Sequence, residues 1–381
     1  MRWTPESHIK SDRICFSPVT QNDYVPTRAR STALGVMSSA SFPLGGALRP
    51  EDCAERWDEY VDAHPKGSVF HLSAMFRVYQ ATPKYEAFPL AAENKEGRII
   101  ALLPAVRVST VTGVASALAS RSIWHAEPLC DPTQEGREAL TNLIRLHDER
   151  MRGRTLFTEV RPLKPSGDER GALESQGYNF QDYLNYVVDV TPTAEDLWQN
   201  LSRSARQKIR RSTERGVAVV IDNTHEGIER MYRLVRASYK RSKVPLADIR
   251  LFHAALDELT PKVVQTRIAT YEGNDVAGGI GLVHRGLFFA WYGGSLRVQQ
   301  ISPFDCLTWD ELKWSSNNDL RHYDFGGAGW PNEEYGPRDF KAKFGGTLVR
   351  HGRYRRVYSP WKLRLAETAF LAARRFFPAS S

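Results

Sequence analysis

Two related α/β units side by side are the architecture this sequence predicts, and three observations carry that reading. The chain has 381 residues, which at roughly 150 residues per domain leaves room for two units, each large enough to bury its own core. Helical and strand signals alternate from Arg49 onward. A faint internal repeat joins the halves: Ala92 to Ala101 resembles Thr270 to Ala277. In both, a strand closes, turns through Glu, Gly and Asn, and reopens with an apolar residue before Ala.

The elements follow in order. Residues 1–46 are rich in Ser, Thr, Pro and Arg without a sustained apolar period, so a disordered extension is expected, with Met37 a candidate start. Trp57, Tyr60 and Val61 begin a helix face that His64-Pro-Lys-Gly67 breaks, and Ser73 to Gln80 reads as a second helix. Phe88 to Ala92 and Arg98 to Val108 read as strands joined by the hairpin connection Glu93 to Gly97. Leu140, Leu143, Ile144, His147 and Met151 recur at helical spacing, and Thr155 to Val160 is a short strand. In the second half, Ala194 to Leu201 and Ser204 to Arg215 are helices, with Gly216 as the stop. Val217 to Ile221 is a strand, and Ile228, Met231, Tyr232, Val235 and Tyr239 mark an amphipathic helix. Three strands then run in sequence, Val263 to Tyr271, Val276 to His284 and Leu287 to Ser295. Ser302-Pro303 opens a helix to about Ser316, and His322 to Phe325 is a strand.

Composition narrows the class. With 41% apolar and 25% charged residues the chain reads as an ordinary soluble protein, which excludes collagenous, disordered and membrane-spanning classes. No basic segment followed by an apolar core opens the chain, so no secretory leader is expected. Cys15, Cys53, Cys130 and Cys306 lie far apart without a CxxC pair, so neither a disulfide scaffold nor a metal site is expected and a reducing cytoplasm fits. The formal charge of +8 is localised: eight basic residues and one acidic residue lie between Gly345 and Ser381. A second basic run is Arg203, Arg206, Lys208, Arg210, Arg211 and Arg215. Such runs are either polyanion surfaces or solvated helix faces.

The densest cluster of unusual residues is Tyr323 to Gly346, with six glycines in 24 residues of mixed aromatics and charges. Glycine lets backbone approach a ligand closely. Asp324-Phe325-Gly326 lacks the companion motifs of a kinase, and Gly326-Gly-Ala-Gly329 is not followed by the Gly-Lys-Ser/Thr of a phosphate loop.

These residues resemble the closing signature of the FemAB-type aminoacyl and acyl transferases, tandem-domain members of the GNAT superfamily. The resemblance rests on Tyr323-Asp-Phe-Gly-Gly327, then Tyr335-Gly336, then Phe340-Lys-x-Lys-Phe-Gly-Gly346. Leu197-Trp198-x-x-Leu201 with Arg206-x-Lys-Ile-Arg-Arg211 and Gly216-Val217 looks like the family's inter-domain helix pair. Phe289 to Ser295 looks like its central aromatic strand, and Pro303 to Trp309 like the helix after it. The first half departs from the family: Arg121-Ser-Ile-Trp-His-Ala-Glu-Pro128 stands where a Gly-rich segment is expected.

The resemblance implies two tandem GNAT-like domains, each a mixed, largely antiparallel sheet flanked by helices, over residues 47–185 and 186–358. A basic amphipathic helix over 359–381 follows, with Leu363, Ala366, Phe370, Ala373 and Phe377 on one face and Lys362, Arg364, Arg374 and Arg375 around it. The implied activity is transfer of an aminoacyl or acyl group to an amine of a cell-wall or surface-polysaccharide precursor. The implied catalytic residues are Lys341, as the cation near the donor carbonyl, and Phe340. Arg206, Lys208, Arg210, Arg211 and Lys343 are the donor-phosphate candidates. Tyr239, Trp291, Tyr292, Asp324, Gly326 and Gly327 are the pocket candidates. No cofactor is expected to be tightly bound; the donor is an aminoacyl-tRNA or an acyl-CoA. Ser295 to Pro303, where GNAT enzymes place a glycine-containing pyrophosphate loop before a helix, contains no glycine, which favours a donor held by basic side chains. The rivals are a CoA-dependent N-acyltransferase acting on an amino sugar or small amine and a non-catalytic tRNA- or polyanion-binding protein. A cytoplasmic location is expected, with the last helix either docked on the protein or lying on the inner face of the membrane.

Overall fold

A computed structural model describes residues 47–109, 119–242, 244–259, 262–366 and 368. The expected N-terminal extension, Cys15 and most of the expected C-terminal helix lie outside them. The first unit opens with α1 (Pro50–Ala63), a short 3-10 turn and α2 (Ser73–Gln80). Strands β1 (Tyr85–Ala87), β2 (Leu90–Glu93), β3 (Ile99–Leu103), β4 (Ala105–Ser109), β5 (Ser120–Trp124) and β6 (Leu129–Cys130) follow. Next come α3 (Gln134–Met151), β7 (Phe157–Val160), α4 (Glu169–Ser175), β8 (Asn179–Gln181) and β9 (Leu184–Asp189). The second unit begins with α5 (Ala194–Asn200), α6 (Arg203–Glu214), β10 (Ala218–Ile221), α7 (His225–Ser242) and α8 (Arg250–Glu258). It continues through β11 (Val264–Tyr271), β12 (Asn274–His284), β13 (Leu287–Ser295), α9 (Pro303–Asn317) and β14 (His322–Gly329). The last elements are α10 (Gly336–Ala342), β15 (Thr347–Val349) and β16 (Arg353–Val357), after which residues 360–366 are helical.

Two large mixed sheets result, in strand order β1-β4-β5-β7-β16-β8 and β10-β11-β12-β13-β14-β9-β15, with a small sheet β2-β3-β6. Each large sheet is antiparallel except for one parallel pair, β5 with β7 and β13 with β14. Each pair is joined through a helix, α3 or α9, as a parallel connection requires.

The hairpin repeat is real. In the second unit β11 and β12 form one ladder within a single sheet from Tyr271↔Asn274 to Val264↔Leu282, with one register shift between Ala269 and Thr270. The first unit keeps a single register from Ala92↔Ala101 through Leu90↔Leu103 to Tyr85↔Val108, but two sheets divide it. The expected strand Arg98 to Val108 is therefore two strands, parted at Pro104. Proline has no N–H to give a ladder, and Pro89 faces the same bend from the partner strand.

Helix ends follow their local chemistry. Ser202 Oγ accepts the Ala205 N–H at 3.1 Å and caps α6, which stops before Gly216 at φ +96°. Ser302 precedes α9 as expected, yet its side chain makes no cap bond; its own N–H donates to Ser212 Oγ at 2.8 Å.

The chain crosses between units twice. The expected boundary at 185/186 falls inside β9, which pairs with β14 and β15 of the second sheet. β16, expected within the second unit, pairs with β7 and β8 of the first. Tyr354 of β16 is fully buried there among Leu140, Ile144 and Trp124. A shared apolar cluster runs from Trp57, Phe76 and Ile123 to Ile228, Met231, Phe252 and Leu282, so the units bury surface against each other. Cys53, Cys130 and Cys306 are free and buried. No described helix is long and apolar enough to cross a membrane.

Candidate active site

β13 and β14 are bonded in parallel only from Leu287↔His322 to Phe289↔Asp324. Beyond that point β13 stays with β12 as far as Ser295, while β14 continues against β9 to Gly329. The two strands therefore diverge and leave a wedge. A bulge between Ile280 and Gly281 shifts the β12–β13 register past Trp291. Consecutive residues Trp291 and Tyr292 both reach the Phe252 ring of α8, at 5.5 and 5.0 Å. Tyr239 of α7 lies 6.0 Å from Tyr292, and burial pushes its phenol up to about 12. The three aromatic candidates thus come together on the β13 side.

The β14 side holds Asp324, Gly326, Gly327 and Lys341. Gly326 takes φ +70°, and Asp324 Oδ1 accepts its N–H at 2.6 Å. The Lys341 ammonium donates to the carbonyls of Phe325 (2.8 Å), Gly326 (3.3 Å) and Gly327 (2.6 Å). It is neither adrift in bulk water nor presented free toward a ligand; all three donors rest on one backbone segment. Burial lowers Lys341 to about 8, opposed by Asp324. Burial raises Asp324 to about 6, opposed by the Gly326 N–H, Lys341 and Asn185. Two groups of opposite charge thus titrate on either side of neutrality, a feature that clusters at functional sites. Phe344 is a core residue, 1% exposed, whereas Phe340 bridges α10 to α9 through Phe304 at 5.5 Å.

The five donor-phosphate candidates do not act as one group. Burial in the first turn of α9 raises the Asp305 carboxyl, opposed by Lys208 and Lys343. Arg206 turns back to the carbonyls of Gln199 (2.5 Å) and Trp198 (3.4 Å), at the end of α5. Arg210 lies over the Trp198 ring at 5.4 Å, and Arg211 is exposed.

A further set of residues was not singled out as site residues from the sequence. Arg121 and His125 of the β5 region, Glu159 and Arg161 of the β7 region and Arg353 of β16 meet on one face of the first sheet. Arg161 Nε donates to Glu159 Oε1 at 2.6 Å, and Arg353 Nη1 to the same oxygen at 3.2 Å. Burial alone would raise Glu159, but Arg353 and Arg161 hold it at about 2. Burial, then Arg161 and Arg121, lowers His125 to about 3, so its ring is neutral. The Arg353 guanidinium lies 3.5 Å over the Tyr183 ring. A Cβ at Gly327 would meet that ring at 2.8 Å, so Tyr183 links this cluster to the strand whose carbonyls hold the Lys341 ammonium. The available signal was period-2 spacing, Glu159 with Arg161 and Arg353 with Arg355, but partners nearly 200 residues apart hide the cluster.

Among the described residues no group of three or more His, Cys, Asp and Glu side chains could hold a metal ion. Residues 199–341 match the acetyltransferase (GNAT) domain family. No curated protein matches the chain. Among solved structures, FemX is 14% identical with a TM-score of 0.61, covering 84% of this chain and 98% of that one. L-PGS from Bacillus licheniformis is 12% identical with a TM-score of 0.53, covering 87% and 98%. A tandem GNAT protein from the clavulanic acid biosynthesis pathway is 11% identical with a TM-score of 0.50, covering 82% and 98%. At these identities the three structures speak to the fold, and the matched domain contains the diverging strand pair. Residues 199–341 thus match the GNAT acetyltransferase domain, and the fold of the chain as a whole is that of FemX and the tandem GNAT protein.

Proposed function

We propose that the chain transfers an aminoacyl or acyl group from a bound ester or thioester to an amine of a cell-wall or surface-polysaccharide precursor. The observation that carries this reading is the wedge between β13 and β14, with the Lys341 ammonium and the Asp324 carboxyl at its base. The acceptor nitrogen attacks the donor carbonyl carbon, a C–N bond forms, and the C–O or C–S bond to the carrier breaks. The amine proton passes to the departing carrier oxygen or sulfur, directly or through water. Negative charge builds on the carbonyl oxygen, and the Lys341 ammonium, fixed in place by three β14 carbonyls, supplies a nearby positive charge that favours it. Holding both substrates in line supplies the rest.

The donor reading favours aminoacyl-tRNA. Asp305 in the first turn of α9 puts a carboxyl where a pyrophosphate would use a helix N-terminus, and the loop before it has no glycine. The exposed basic face of α6, with Arg203, Lys208 and Arg211, offers side-chain contacts to a polyanion instead. The acetyltransferase name of the matched family supports the second reading, an acyl-CoA donor. Trp361 and Leu365 are 66% and 56% exposed beside Lys362 and Arg364, which fits peripheral contact with an anionic membrane.

Incubation with envelope precursors and either charged tRNA or acyl-CoA tests this, read by mass spectrometry of the acceptor. A mass gain with charged tRNA alone supports the first donor, and one with acyl-CoA alone the second. No gain with either sinks the enzymatic reading and leaves a polyanion-binding protein.

A further inference from the structure

The zipped end of the β13–β14 pair is fastened from α9, the helix that joins the two strands. Phe288 and Tyr323 stand opposite each other in the parallel register, one pair before the strands part. Their rings stack with centroids 5.0 Å apart and planes 12° from parallel. The Tyr323 hydroxyl donates to Glu311 Oε2 at 2.5 Å, and the two residues are 1% and 4% exposed. The sequence of β12 makes room for them. A Cβ at Gly279 would stand 3.2 Å from Glu311 Oε1, and one at Gly281 would collide with the Phe288 ring. Two bare backbone positions thus admit the carboxyl and the ring.

A carboxyl is a costly choice for a position that only packs, because it gives up its water on burial. Burial raises Glu311 to about 7, opposed by Arg267 and by the Tyr323 hydroxyl. Arg267 of β11 is itself fully buried. Its Nε donates to Asp310 Oδ2 at 3.1 Å, and its guanidinium lies over the Phe288 and Trp314 rings at 5.6 and 5.0 Å. Glu311, Tyr323 and Phe288 therefore belong to one buried network in which each group restricts the next. From Tyr323 the restriction passes along the chain into the site. Asp324 is its neighbour, and the Phe325 ring meets the Tyr323 ring edge-on at 4.7 Å. The Phe325 carbonyl in turn accepts from Lys341 at 2.8 Å.

We propose that Glu311 is a positioning residue: through the Tyr323 hydroxyl it fixes the point at which β14 leaves β13, and with it the carbonyls that hold the Lys341 ammonium. Its effect on turnover rests on the transfer reading above; its effect on the ammonium does not. The hydrogen bond, rather than the charge, carries the role. E311Q, which keeps an acceptor oxygen, should therefore preserve it, and E311L should not.

Reductive methylation of lysines in the full chain, mapped by mass spectrometry, tests this. Y323F deletes the hydroxyl and keeps the stacked ring. It should speed methylation of Lys341 by about fivefold or more, as local opening releases the ammonium, and leave Lys208 and Lys362 unchanged. E311Q should match the unaltered protein. E311L should behave like Y323F, and the double variant should be no faster than the faster single one, because all three remove the same bond. In the transfer assay Y323F should lower kcat by about fivefold or more and change KM by less than about twofold. Unchanged Lys341 labelling in Y323F, E311Q as fast as E311L, additive single effects, or equal acceleration at every lysine would each overturn the proposal. The labelling needs no turnover. An inactive chain with the expected labelling removes the transfer reading alone, and unchanged labelling in an active chain removes only the positioning role.

Discussion

The two parallel strand pairs are built alike and end differently. β5 and β7 stay zipped to their last residue, where the Arg161 N–H still donates to the Trp124 carbonyl at 2.9 Å. β13 and β14 part after three residue pairs. One pair therefore makes a continuous charged surface, and the other makes a wedge with freed backbone carbonyls that hold a lysine. Duplicated topology supplies two platforms, and local chemistry decides which one opens.

The hairpins tell the same story. Pro89 and Pro104 split the first across two sheets, whereas the second stays within one sheet beneath α7. Gly278 lies where a Cβ would stand 2.9 Å from Met231 Cα. At the matching place in the repeat stands Leu102, fully buried. The second unit draws its helix close over a bare backbone; the first fills that space with a side chain.

Removing the wedge's cation should have the largest effect. Lys341→Ala is expected to lower turnover by about 100- to 1,000-fold, the range for loss of a fixed group that stabilises the oxyanion electrostatically. Turnover within tenfold of the unaltered protein would erase the distinction between the two pairs. Next comes Gly278→Ala, which should destabilise by about 1–3 kcal/mol through overpacking against α7. Denaturant unfolding checks it, and an unchanged midpoint would show that α7 yields freely.

The pH profile sharpens the contrast further. Asp324 takes up a proton below about 6, and Lys341 loses one above about 8. Transfer should therefore follow a bell with limbs near those values, falling about tenfold per pH unit outside them. Asp324→Asn should abolish the acid limb and keep the alkaline one; an acid limb that persists would assign it elsewhere. In the first unit Glu159 at about 2 and His125 at about 3 add no limb near neutrality. The smallest effect belongs to Pro104→Ala, expected to change stability by less than about 1 kcal/mol. A larger loss in the same unfolding measurement would mean that the sheet division depends on that residue.

Much of the fold was readable because helix and hairpin signals are local. The apolar stripe of α7, the capped start of α6 and the strands around Glu272-Gly273 and Arg285-Gly286 each lie within a few turns of chain. β16 was not readable: Arg353, Arg355 and Arg356 look like part of a basic tail until β7 supplies a partner. α8 and α10 have nine and seven residues, too few for a helical period to stand out. At the site, sequence resemblance marked Lys341 and Asp324, and the structure sets the α10 lysine against the strand that carries the aspartate. That resemblance cannot reveal that backbone carbonyls hold the ammonium. Arg206 and Arg210 looked like phosphate ligands because charge alone does not say which way a helix turns.

The return of β16 to the first sheet bears on how the polypeptide matures. On the ribosome the first unit emerges complete except for one interior strand, which is made only after the second unit. Until that strand arrives, β7 and β8 each present an open edge. A chaperone that shields those edges during synthesis should raise the yield of native protein. Stalling translation before Arg353 should leave a nascent chain sensitive to protease in its first half as well as its second.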